Sequence, residues 1–126
     1  MLTESARMNS AAEARFRIPA QPTGRNIKVI DLDTATAADV ARLADDVPGA
    51  DLVVMLISAG ADADAAATIG RACSEHRVMT HAIVVRAGAV AEQDLSRTLA
   101  QLRPWSLMVV VAEGDDYVED ILRSFR

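Results

Sequence analysis

The sequence predicts an α/β protein: three layers, with a doubly wound, mostly parallel four-stranded sheet of Rossmann-like type. Three observations carry that prediction. Apolar segments of strand length alternate four times with segments of helical periodicity. The run Leu52 to Ile57 is continuously apolar and not alternating, as a sheet covered on both faces requires. The stretch Asp51 to Arg86 reads as strand, loop, Ala-rich helix and strand, a βαβ unit whose crossover is expected to be right-handed.

The elements follow in order. Residues 1–24 form an N-terminal extension ahead of a single domain at 25–126. Leu2 to Arg15 has the makings of a weak helix and Phe16 to Ile18 of a short extended piece, before Pro19, Pro22 and Gly24. A flexible tail is the simplest expectation there, with docking on this or another subunit as the alternative. Asn26 to Leu32 is the first strand. Thr36 and Asp39 have capping-box spacing, and a helix through Val40, Leu43, Ala44 and Val47 stops at Pro48-Gly49. After Leu52 to Ile57, the residues Ala66, Ile69, Ala72 and Cys73 mark a narrow helix face of small residues that can lie close on a sheet. Ile83 to Val85 is the third strand. Val90, Leu95, Leu99 and Leu102 mark a third helix, ended by Pro104; Trp105 beside it reads as a packing anchor at the far end of the sheet from the strand ends. Leu107 to Ala112 is the fourth strand, and Asp116 with Glu119 has the spacing of a second capping box, opening a helix with Val118, Ile121, Leu122 and Phe125.

Composition narrows the function classes. Half of the 126 residues are apolar (51%) but only 3% are aromatic, so the core is aliphatic. A net charge of -5 argues against nucleic acid and against an anionic membrane surface. No apolar run approaches the ~20 residues of a membrane span, and Glu4, Arg7, Glu13 and Arg15 leave no signal-peptide core. A single cysteine, Cys73, excludes a disulfide framework and points to a reducing cytoplasm.

Ligands of open α/β sheets bind beyond the carboxyl ends of the strands. Four loops are expected there: Asp31 to Thr36, Ser58 to Asp64, Arg86 to Ala89 and Glu113 to Asp116. They contribute Asp31, Asp33, Asp62, Asp64, Glu113, Asp115 and Asp116 against one basic residue, Arg86. This acidic mouth has three readings. The plainest is that Asp62 or Asp64, and Asp115 or Asp116, cap helix N-termini. The second is a divalent cation such as Mg2+ held by Asp31 and Asp33, which leave one strand end as i and i+2. The third is a docking surface for a basic partner. No GxGxxG or GxxxxGK[ST] occurs, Gly60 stands alone in its loop, and no GxSxG surrounds Ser58. His76 reads as a helix end, His81 as a strand residue, and Cys73 as a small core residue.

From Gly49 to Asp116 the order of pieces resembles the later part of the nucleotide-binding domain of the tubulin/FtsZ superfamily. GADLVVMLISAG resembles the strand entering that family's glycine-rich phosphate loop, ending in Ala59-Gly60. HAIVV resembles its next strand, and LAQLRPWSLMVVVAEGDD the helix and strand that lead to a nucleotide-contacting loop. The chain departs from the family at the points of contact. Ala61-Asp62-Ala63-Asp64 stands where the family has a glycine- and threonine-rich run, and Glu113 where a base-contacting asparagine is expected. IKVIDLD compresses the early strands and glycine loops, and the activation domain has no counterpart in these residues. The resemblance therefore implies a dismantled GTP site, with the sheet and a tendency to associate retained. Receiver-like modules also pair aspartates after the first strand, but a later phosphoacceptor Asp and a Lys near the last strand are missing; Lys28 is the only lysine.

The expected function is accordingly a non-catalytic protein-interaction module, oligomer-forming or an accessory or small subunit of a larger complex, with no catalytic residue assigned. The alternative is a nucleotide or small-ligand binding protein with contacts from Ser58, Gly60, Asp62, Asp64, Arg86 and Glu113 and a cation at Asp31 and Asp33. An acid/base enzyme acting on a cationic substrate rests on the carboxylate cluster alone.

Overall fold

The computed structural model describes residues 25–86 and 88–125; the expected N-terminal helix and extended piece lie outside them. The elements are β1 (Ile27–Asp31), α1 (Ala37–Asp46), β2 (Leu52–Ser58), α2 (Ala65–Glu75), β3 (Met79–Val85), α3 (Glu92–Leu102), β4 (Met108–Ala112) and α4 (Val118–Ser124). Short 3-10 turns at Arg103–Trp105 and Asp115–Tyr117 lead into β4 and α4. All strand pairings are parallel, in the order β1-β2-β3-β4.

That order places the helices. Each strand is added on the same side of the last, so crossovers of one hand carry α1, α2 and α3 to one face. There Ile30, Val53, Met55, Ile57, Ala82 and Val84 meet Val40, Leu43, Ala66, Ile69, Cys73, Leu95 and Leu102. The alternate residues Val29, Leu52, Val54, Leu56, Ile83, Val85 and Ala112 point the other way, onto Val118, Leu122 and Phe125 of the last helical segment. The sheet thus carries helices on both faces, the three-layer arrangement expected, and every residue from Leu52 to Ile57 is buried. Among the described residues α4, of seven residues, is the helix on the second face; at the amino ends of β3 and β4, Met79 and Met108 are exposed.

Local chemistry sets the element ends. The Thr36 box forms in full: Asp39 N–H donates to Thr36 Oγ1 (3.1 Å) and Thr36 N–H to Asp39 Oδ2 (2.9 Å). α2 ends in a Schellman turn, in which Val78 N–H donates to Cys73 O (2.8 Å) and Arg77 N–H to Ser74 O (3.3 Å), with Arg77 left-handed at φ 56°. This turn starts β3 at Met79, four residues before the apolar run, because the polar Thr80 and His81 hide the ladder that pairs Met79 with Leu52. The Asp116–Glu119 box does not form. The 3-10 turn moves the start of α4 to Val118, so Asp116 lies inside the turn and no side chain caps the helix. Val90 precedes α3, which begins at Glu92. Among the described residues no helix is long and apolar enough to cross a membrane.

Candidate functional site

The four expected loops do lie together at the carboxyl ends of the parallel strands, but the polar groups of the first two turn inward onto the protein. Asp31, at the end of β1, is buried, and its Oδ1 accepts the N–H of Asp33 (3.0 Å). Its carbonyl accepts from Thr34 (3.2 Å) and Ala35 (3.0 Å), which closes the turn. Asp33 reaches across to the end of β2, where Ser58 donates to it through its backbone N–H (3.1 Å) and its hydroxyl (2.5 Å). Asp33 therefore ties the end of β1 to β2 through both its carboxylate oxygens, and Asp31 holds the turn that places it.

The loop after β2 is closed by α3. Gly60, left-handed at φ 89°, donates its N–H to Thr98 Oγ1 (3.0 Å), and the Thr98 hydroxyl donates to Ala61 O (2.9 Å). One turn further along α3, Gln101 accepts from Ala63 N–H (2.7 Å) and donates to Asp62 Oδ1 (2.7 Å), which also accepts the N–H of Asp64 (3.0 Å). Asp62 thus holds the loop ahead of α2 and does not cap it: its bond goes to the N-cap residue itself, so neither member of the pair caps the helix as expected. Asp64 is already helical and makes no side-chain cap.

Thr98 and Gln101 escaped the sequence reading, although a signal existed. Thr98 interrupts the buried stripe Leu95, Thr98, Leu102 of α3, and a buried hydroxyl within an apolar stripe needs a polar partner.

The remaining residues stand apart from this network. Arg86 is half-buried and pairs with Glu92 (3.1 Å) at the start of α3, so the single basic residue of the mouth is neutralised locally. Glu113, Asp115 and Asp116 are exposed beyond β4. Hard cations take six or more oxygen ligands, several of them carboxylate. Among the described residues no group of three or more His, Cys, Asp or Glu side chains is placed to hold a metal ion. The donor set at Asp31 and Asp33 does not fit such a cage.

Nucleophile and base candidates are subdued as well. Burial pushes the Cys73 thiol up, against a smaller opposing effect of its hydrogen bond with Thr80, so the reactive thiolate is disfavoured. His81, in mid-strand, is held below the ordinary histidine value first by burial and then by the Arg25 charge; its ring meets Phe125 edge-on at 4.8 Å.

Among the described residues no strand pairs with the outer edge of β4, and of the two edge strands it is the more exposed. Its sequence MVVVA contains no charge and no proline, Met108 and Val111 are 39% and 37% exposed, and Leu107 just before it is 72% exposed. Val111, Ala112, Tyr117 and Ile121, with Glu113 and Asp120 at the rim, line a recess of about 340 Å3 at the carboxyl end of this edge. A second recess of about 410 Å3, lined in part by Arg77, Met79, Trp105 and Leu107, flanks its amino end.

These features define a parallel α/β domain of Rossmann-like build, with the loops after β1 and β2 closed by its own side chains and, among the described residues, nothing paired to the outer side of β4. The chain matches no protein-family model, no curated protein and no solved structure.

Proposed function

We propose that this chain is a non-catalytic α/β interaction module, either self-associating or an accessory subunit of a larger complex, which docks through the edge of β4. The observation that carries this reading is the uncharged, apolar edge strand, to which no described strand pairs on its outer side. Soluble proteins normally blunt such edges with lysine, proline or an overlying element, because unpaired N–H and C=O groups recruit another strand. Here the edge is left sticky beside an apolar recess, the arrangement used when a partner adds a strand or a side chain. The strand-end loops support the same reading by exclusion. The N–H groups of Gly60, Ala63 and Asp64, which a phosphate would need, donate to Thr98, Gln101 and Asp62. On this reading the likeness to the tubulin/FtsZ superfamily is one of framework, with the nucleotide contacts given up.

The test compares the full chain with Val111→Lys at the edge and Gln93→Lys on the exposed start of α3. Association, measured by sedimentation and by affinity capture, is lost in the first variant and kept in the second. A strict monomer at high concentration that captures nothing sinks the proposal. A thermal-shift series with Mg2+ and nucleotides decides against the ligand-binding alternative if the midpoint does not move. A ligand at a hundredfold excess over its dissociation constant would add about 2.7 kcal/mol to the folded state.

A further inference from the structure

Resting on the reading of β4 as a docking edge, we infer that its partner is a second copy of this chain, paired β4 to β4, antiparallel, about a two-fold axis at Val110. Three features of the edge converge on that arrangement.

The strand is chemically self-complementary. Symmetric pairing about Val110 sets Met108 opposite the partner's Ala112 and Val109 opposite the partner's Val111, so no like charges face each other across the junction. The opposite sheet edge is less suited to receive β4, since β1 carries Lys28 and Asp31 and is buried from Lys28 to Asp31. Pairing of β4 with itself closes on a dimer, whereas pairing of β4 with β1 would propagate.

The recess has a matching side chain. Met108, Val110 and Ala112 pair with His81, Ile83 and Val85, and Ile83, Val85 and Ala112 belong to the cluster under α4. Met108 therefore points to the α4 face, and pairing carries the partner's Met108 over Ala112, at the floor of the recess beside Tyr117 and Ile121. A thioether on a flexible stem suits an irregular apolar gap. The two-fold axis fills both recesses at once.

The ends of the strand carry opposite charge. Glu113 and Asp116 lie exposed at its carboxyl end; Arg77 and Arg103 lie exposed at its amino end, and none of the four is ion-paired with another described residue. Antiparallel pairing brings the acidic end of each copy to the basic end of the other. Parallel pairing of the same edges would set acid against acid.

The experiment is sedimentation of the full chain over a wide concentration range, with disulfide trapping of Val110→Cys. The wild type sediments at twice the 13.4 kDa of one chain. Val111→Lys weakens the dimer at least about tenfold, because two like charges are brought diagonally across the junction; Met108→Glu does the same by placing a carboxylate in the recess. Melting curves of both variants show that the fold is retained. Residues opposite each other on antiparallel strands are about 4.5–5.5 Å apart between Cα atoms, within disulfide range. Val110→Cys therefore oxidises to a covalent dimer, and Arg97→Cys on α3 does not. A monomeric wild type overturns the inference, as does a dimer indifferent to both edge variants that Val110→Cys fails to trap. If the monomer captures another protein and Val111→Lys abolishes that capture, the edge remains a docking site and only the identity of the partner falls. If neither association occurs, both readings fall.

Discussion

Gly70 and Trp105 are in direct contact: a Cβ placed on Gly70 would lie 2.5 Å from Trp105 Cβ and 2.8 Å from its Cε3. The absence of a side chain lets α2 rest on the 3-10 turn that opens β4, while the Arg71 guanidinium covers the indole face at 5.4 Å. Since Trp105 lies three residues before Met108, where β4 begins, this contact fixes where the edge strand starts. Gly70→Ala is expected to destabilise the fold by about 1–3 kcal/mol, the usual cost of overpacking, despite the better helix propensity of alanine. Urea denaturation measures it; an unchanged midpoint would show that the turn moves aside freely.

Thr98 serves two backbone groups of the loop after β2 through one hydroxyl. Thr98→Val keeps the shape and leaves Gly60 N–H and Ala61 C=O without that partner, at a cost of about 1–3 kcal/mol. Thr98→Ser retains most of the stability. Amide exchange at Gly60 accelerates in the valine variant and not in the serine variant, which separates loss of these bonds from a general loosening.

Arg77 occupies the left-handed position of the Schellman turn, where glycine carries no steric penalty. Arg77→Gly is expected to stabilise the protein by about 1 kcal/mol, visible as a rise of a few degrees in the thermal midpoint. A fall would mean that the arginine side chain contributes more than its backbone costs.

His81 gives the fold a pH dependence of known sign. Its pKa is lowered in the folded state, so the unfolded chain binds the proton more readily. Its contribution is complete above the unfolded histidine value near 6.5 and is lost as the pH falls below it. His81→Gln should flatten the stability profile in that window. An equal slope in both proteins would show that His81 does not carry the dependence.

How far the residues spoke for themselves is clearest at particular places. The α/β class, the Thr36 cap, the buried β2 and the amphipathic helices were legible because each depends on neighbours in sequence: a periodicity, a cap spacing, an unbroken apolar run. The gathering of the four loops at one end of the sheet was also legible, because strand–helix alternation in a parallel sheet puts every such loop at the same end.

The tertiary structure decided what those loops and edges are available to do. Whether Asp33 faces a ligand or the protein depends on the approach of Ser58 from the adjacent strand, 25 residues away in sequence. Whether the Gly60 amide awaits an anion depends on Thr98, 38 residues on. Hydrophobic pattern determines which residues are buried, since burial follows from composition and period. Strand order depends on the hand of successive crossovers and on the packing of whole helices, and it is strand order that leaves β4 at an edge of the sheet.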